Sequence, residues 1–344
     1  MPSFAQLLDQ GRVGKGNPLV LGFDQDNGSE ISGTWLDLYS TAIAGLPGTG
    51  KTTTQRFLAC QTALLGARFA IIDPHAGAAD DSLAATLAPL SSSFVCEPAS
   101  DDKAILETVR YVADVGKRRI TGKDADTTPL ILWADELTAL LGRSAVGDEL
   151  AELLERIAQE YRKRHVFVCG SGQIWTAART SSELRDSFAS AIVHRMKRGQ
   201  ARLLLPTEEA ATVERLVTGH AVLWRTSGAT QTIAVPNTTA ADVERVGALL
   251  GGLVEPSANG MAFGFGRLAE GNRKATPEGT EGRPSAEKPT IEAARIVALF
   301  LDGKSVPEIV KEVFQLDSNG GRAYVTARAT VEQTIRQALA VRAA

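Results

Sequence analysis

Two rhythms of hydrophobic and polar positions run along this chain. Short apolar runs at residues 41–44, 68–73, 129–134 and 165–170 read as strands buried on both faces. Between them lie stretches with apolar residues three or four apart, at 52–65, 103–115 and 149–162. In the second of these, Ile105, Leu106, Val109 and Val112 share one side of a helix. Buried strands alternating with helices predict a parallel sheet covered on both sides. Residues 93–96 read as a shorter strand, and 191–196, 201–205, 221–225 and 231–235 as later ones, followed by a helix at 239–250. Ahead of all this, an apolar run at 18–23, a turn-rich Asp24 to Ser29 and an alternating segment at 31–39 predict a hairpin capping the sheet edge. The pattern stops at 255–289, where Pro, Gly, Ser and charged residues predict a linker. It resumes as three helical patterns at 291–301, 306–314 and 323–341. Asp302-Gly303 ends the first, and Ser305, Pro307 and Glu308 supply the start signals of the second. Three short helices with a tight turn predict a helix-turn-helix or winged-helix-like domain, a pattern shared by small bundles that bind protein. The expected division is a β-rich segment at 1–40, a main domain at 41–254, the linker, and a small domain at 290–344.

Between the first buried strand and its helix stands Gly45-Leu46-Pro47-Gly48-Thr49-Gly50-Lys51-Thr52. It fits the phosphate-loop pattern G-x-x-x-x-G-K-T of nucleotide hydrolases. Glycines let successive backbone N–H groups curl around phosphate, and the helix start adds its positive dipole end. Lys51 is placed to reach the terminal phosphates of ATP, the Thr52 hydroxyl to ligate magnesium, and Thr53 to continue the cradle. The expected fold is therefore α/β, a RecA-like P-loop NTPase core with a mostly parallel central sheet and a small C-terminal helical domain.

Further chemistry sits at strand ends. Leu130 to Ala134 delivers two adjacent acids: Asp135 to hold magnesium and Glu136 to polarise the attacking water. Gln173 leaves the next apolar strand, where a neutral amide can bond both the γ-phosphate and the lytic water. Asp73 ends the strand at 68–73 and is expected beside the phosphate loop, touching nucleotide or a neighbouring subunit. His75 is equally well a turn residue.

Composition narrows the setting. With 344 residues and 44% hydrophobic content the chain can bury one substantial core and a satellite domain. Its three cysteines and four histidines are scattered, which argues against a disulfide scaffold or a metal cluster beyond nucleotide-borne Mg2+. No apolar stretch of spanning length and no secretory leader is visible, so a soluble cytoplasmic protein without its own membrane anchor is expected. A net charge of −3 gives no general pull toward nucleic acid. Basic groups nevertheless gather at Lys117 to Arg119, at Arg162 to His165, and at Arg195, Lys197, Arg198 and Arg202. Each is either a solvated face or part of a phosphate-backbone track.

Taken together, these residues resemble the FtsK/HerA superfamily of ring-forming, DNA-pumping ATPases, over residues 17–250. Pro18 to Gly22 is similar to the strand that opens the FtsK motor domain, and Ile72-Asp73-Pro74-His75 looks like the "I-D-P-H" of HerA-type members. Gln173 matches the family's sensor glutamine. The segments 184–205 and 216–223 resemble the FtsK pattern in which an "R-I-A-F" strand leads to an arginine-leucine strand and then "G-x-G-D-M-L". Ala191 departs from it where an arginine is usual, and Gly219-His220 replaces Gly-Asp, while the second arginine is matched by Arg202. The resemblance implies a homohexameric ring, ATP between subunits, double-stranded DNA through the centre, and an arginine acting across the boundary from among Arg185, Arg195, Arg198 and Arg202. It further implies a C-terminal domain that engages DNA or a protein partner, in a compact form like those of mobile elements. The leading expectation is an ATP-driven double-stranded DNA translocase. A packaging or conjugative coupling ATPase shares every motif, and an ATP-gated DNA-binding switch shares most. A metabolite kinase would need neither the acid pair nor the helical domain.

Overall fold

The computed structural model describes residues 1–38, 40–226, 230–251, 299, 304, 306–314, 327–328 and 331. The chain divides into two compact units, Met1–Leu250 and Gly251–Ala344.

In the first unit, α1 (Phe4–Asp9) is followed by the antiparallel pair β1 (Leu19–Asp24) and β2 (Glu30–Gly33), then by β3 (Thr41–Ala44) and α2 (Lys51–Leu64). Next come β4 (Arg68–Ile72), α3 (Leu83–Leu87), α4 (Asp102–Ile120), β5 (Leu130–Ala134), α5 (Leu137–Leu140) and α6 (Gly147–Arg156). The remaining elements are β6 (Val166–Gly172), α7 (Ser182–Ser187), β7 (Ser190–His194), α8 (Arg198–Ala201), α9 (Glu209–Thr212), β8 (His220–Arg225), β9 (Thr230–Ala234) and α10 (Ala240–Gly251). The strands form one sheet in the order β2-β1-β9-β8-β7-β3-β6-β5-β4.

Strands β7, β3, β6, β5 and β4 run parallel, whereas β8, β9, β1 and β2 are joined through antiparallel pairings. The sheet is thus mixed rather than mostly parallel. The reason is local: β7–β8 and β8–β9 close by antiparallel return, and the N-terminal hairpin adds to β9 instead of to the parallel half.

Alternation along the parallel strands feeds two cores. Ala42, Ala70, Leu132, Val168 and Val193 face α4 and α6, while Ile43, Phe69, Trp133, Phe167 and Ile192 face α1, α2, α3 and α10. Burial on both faces holds β3 inside the parallel set, between β7 and β6, with the phosphate loop leaving its C-terminal end.

Several sequence expectations fail for identifiable reasons. Residues 201–205 are not a strand but continue the turn of α8: Leu204 and Leu205 donate backbone bonds to the Ala201 carbonyl, and Ala201 and Leu205, four apart, are both buried. Residues 93–96 make only an isolated bridge, Phe94 to Phe69. The strand expected at 31–39 stops at Gly33, because Asp37 accepts from the Thr34 N–H at 2.8 Å and folds residues 35–38 into a 3-10 turn. Helix α1 has no counterpart in the expected β-rich segment, although Ser3 and Gln6 form a capping box that announces it.

The helix expected at 149–162 is broken. It passes from α6 into a π-helical turn, Ile157–Tyr161, which presses Tyr161 onto α4. A Cβ on Gly116 would lie 2.3 Å from that ring. Gly116→Ala is therefore expected to cost about 1–3 kcal/mol by overpacking, read as a lowered denaturant midpoint. An unchanged midpoint would show that the π turn yields freely.

In the second unit, helix α11 (Val306–Phe314) buries Ile309 and Val310 in a small cluster with Leu299, Ala327 and Val331. The expected linker and most of the other two C-terminal helical patterns lie outside the described residues. Among the described residues, no helix is long and apolar enough to cross a membrane.

Candidate active site

Strand register brings the expected groups together at one edge. Ala44 pairs with both Gly172 of β6 and Val193 of β7, and Ala134 pairs with Gly170. Asp135 therefore emerges level with Ser171, and Glu136 close to Gln173.

The phosphate loop turns on glycines at positive φ: Gly48 at 69° and Gly50 at 124°. Side chains are rarely tolerated there. The Thr49 hydroxyl donates to the Leu46 carbonyl at 2.7 Å and closes the loop from within. Lys51 opens α2, with its ammonium donating to the Gly45 carbonyl at 2.9 Å and to Leu46 at 3.3 Å. Burial pulls Lys51 below the usual lysine range, and the nearby charges of Glu136 and Asp135 oppose that shift. The lysine and the two acids thus feel one another across the loop. Thr52 and Thr53 follow on the first turn of α2, both half-buried.

Asp135 is held above the usual carboxylate range, chiefly by burial and further by Asp73 and Glu136, while a hydrogen bond from the Ser171 hydroxyl works the other way. Such a crowded acid is what a divalent cation would stabilise. Among the described residues no group of three or more His, Cys, Asp or Glu gathers to hold a metal. A single carboxylate with the Thr52 hydroxyl, completed by phosphate oxygens and water, is the donor set magnesium accepts.

Glu136 adopts a left-handed backbone conformation, φ 47° and ψ 36°, at the start of α5. From that turn its carboxylate accepts a hydrogen bond from the Gln173 amide, at the end of β6. A non-glycine residue in this region is uncommon and is held there by its surroundings. The expected water-activating acid and the expected sensor amide are therefore direct partners.

Asp73 does not lie beside the loop. Strand β4 is at the far end of the parallel set, separated from β3 by β6 and β5. The Asp73 carboxylate is fully buried and accepts the backbone N–H groups of His75 and Ala84, each at 2.8 Å. It shapes the turn that follows β4, and its charge helps hold Asp135 above the usual carboxylate range. Arg202 caps α8 on the exposed surface rather than on a strand. Arg195 and Arg198 are exposed nearby, whereas Arg185 donates to the Thr180 carbonyl. The basic groups at 117–119 and 162–165 meet at the opposite edge of the sheet, where Arg119 reaches the carbonyls of Arg164 and His165.

One residue of the site escaped the sequence reading. His194, at the end of β7, is fully buried against the loop, bonded to Thr54 and to the His220 carbonyl. Only its position two strand-residues beyond Ile192, next to the central strand, could have flagged it.

Residues 41–198 match the family model described as ATPase family associated with various cellular activities (AAA). No curated protein matches the chain. Among solved structures, the pCW3 conjugation coupling protein TcpA, in its monomer form with ATPγS, aligns with a TM-score of 0.54 at 14% identity, covering 65% of this chain and 67% of its own. EssC (ATPases 2 and 3) from Geobacillus thermodenitrificans aligns with a TM-score of 0.55 at 15% identity, over 71% of this chain and 51% of that one. Thermomonospora curvata EccC (ATPases 2 and 3), in complex with a signal sequence peptide, gives 0.54 at 17% identity, over 70% and 43%. The chain thus spans about half the length of the EssC chain and less than half of the EccC chain. At these identities the likeness is one of fold.

Proposed function

We propose that this P-loop ATPase is a ring-forming motor of the FtsK/HerA kind that uses ATP hydrolysis to move double-stranded DNA, in the manner of a conjugative coupling or packaging ATPase. The observation that carries the reading is a direct tie between the phosphate loop and a basic segment. The Leu46 N–H donates to the Arg195 carbonyl at 3.0 Å, and the side chains of Arg195, Lys197 and Arg198 lie on the exposed surface there. A shift of the loop on hydrolysis would be passed to cations suited to a phosphate backbone. The fold shared with a conjugation coupling protein supports the same output.

In this reading the loop residues Gly45 to Thr53 and the Lys51 ammonium hold the triphosphate. Thr52 and Asp135 hold magnesium, which when bound neutralises charge on the phosphate oxygens. Glu136 takes the proton of the attacking water, and Gln173 keeps that carboxylate oriented and responds to the state of the γ-phosphate. Arg202 is assigned to the nucleotide of a neighbouring subunit in a homohexamer. The small C-terminal unit is assigned to DNA loading or to a protein partner.

The test is ATP turnover against duplex length. Hydrolysis is expected to rise several-fold as duplex lengthens and to lose that stimulation with salt. Turnover indifferent to DNA of any length would reject the motor and leave an ATP-gated switch. Replacing Lys197 and Arg198 together with alanine is expected to lower the salt slope of DNA binding by about two. An unchanged slope would place the DNA contact elsewhere.

A further inference from the structure

His194 is a buried titratable group beside the loop that none of these roles uses. Its Nδ1 lies 2.9 Å from the His220 carbonyl oxygen on β8, and its Nε2 lies 2.8 Å from the Thr54 hydroxyl on α2. A carbonyl can only accept, so Nδ1 carries the ring proton and Nε2 accepts the proton of Thr54. Burial, reinforced by Lys51 and His220, pushes the imidazole down to about 4, against the pull of the His220 carbonyl, so the ring is neutral near pH 7.

The same side chain forms a wall of the loop. A Cβ on Gly45 would lie 2.7 Å from the His194 Cβ, and one on Gly50 would lie 3.1 Å from its Cε1. Both glycines that bracket the phosphate cradle therefore pack on one residue, Gly45 against its Cβ and Gly50 against its ring. The adjoining backbone adds two further ties: Leu46 N–H to Arg195 carbonyl, and Gly219 N–H to Thr49 carbonyl, each at 3.0 Å.

We propose that His194 is a positioning residue that sets the conformation of the phosphate loop for ATP, by joining the first turn of α2 to the ends of β7 and β8. The assignment rests on the reading that this loop binds ATP. An apolar ring of similar size would fill the space, but it would leave the buried Thr54 hydroxyl without an acceptor and release the His220 carbonyl. A loop so loosened presents its amides less often in the binding geometry. That penalty falls equally on bound substrate and transition state, so it appears in KM rather than in kcat.

His194→Phe and Thr54→Val are each expected to raise the KM for ATP about tenfold, the loss of one to two buried hydrogen bonds, with kcat within a factor of about two of wild type. Thr54→Ser, which keeps the hydroxyl, is expected to retain wild-type KM. The double variant His194→Phe/Thr54→Val is expected to be no worse than His194→Phe alone, because that change already removes the bond to Thr54. A lowered melting temperature with unchanged KM in His194→Phe and Thr54→Val would make His194 a packing residue and overturn the proposal. Should His194→Phe fail to fold, the contrast between Thr54→Val and Thr54→Ser decides alone: equal KM values overturn it. Wild-type protein that binds no ATP would instead remove the reading beneath it, a different and separately visible failure.

Discussion

Glu136→Gln is expected to bind ATP with near-wild-type affinity and to lose turnover by about 10²–10⁴-fold, the usual contribution of a general base. The amide keeps the size of the carboxylate and a hydrogen-bonding partner for Gln173, so the left-handed turn that aims residue 136 should survive. It cannot take a proton from water. Phosphate release measured beside nucleotide binding separates the two effects. Turnover within tenfold of wild type would remove Glu136 from the base role and move attention to Asp135.

Lys51→Ala is expected to weaken ATP binding by roughly 10²-fold or more, as truncating one partner of a buried charge pair does. The ammonium is buried at the mouth of the loop, held by the Gly45 and Leu46 carbonyls and facing the charges of Asp135 and Glu136. Without it, the phosphates would meet two carboxylates and no side-chain cation from the loop. Ligand binding raises the melting temperature by mass action, so ATP should stabilise the wild type and leave Lys51→Ala unmoved. Equal stabilisation of both would mean the nucleotide is held elsewhere.

Much of the site was legible because its signals are local. The spacing of Gly45, Gly50 and Lys51 follows from what a phosphate needs from backbone amides, and a buried strand ending in Asp135-Glu136 can deliver those acids only to the sheet edge. Gln173 leaves the strand next to β5 by the same logic. What was not legible depends on strand order. Nothing in residues 68–73 reveals that β4 lies at the far end of the parallel set, so Asp73 reads as a loop neighbour when its carboxylate is spent on His75 and Ala84. His194 is invisible for the same reason, since its partners Thr54 and His220 are distant in sequence and meet only when β7 docks beside β3. Residues 201–205 mislead because three consecutive leucines suit a buried strand and a helical turn alike, and only the burial of Ala201 with Leu205 distinguishes them. Antiparallel closure by β8, β9 and the N-terminal hairpin is likewise a matter of pairing, which apolar runs do not specify.

The most direct measurement is displacement of a third strand from a DNA triplex carried on a long duplex, with ATP and magnesium supplied. A hydrolysis-driven motor is predicted to strip the third strand with wild-type protein, and not with Glu136→Gln or when ATP is omitted. Hydrolysis that proceeds on the same duplex while the third strand stays in place would contradict movement of DNA by this ATPase.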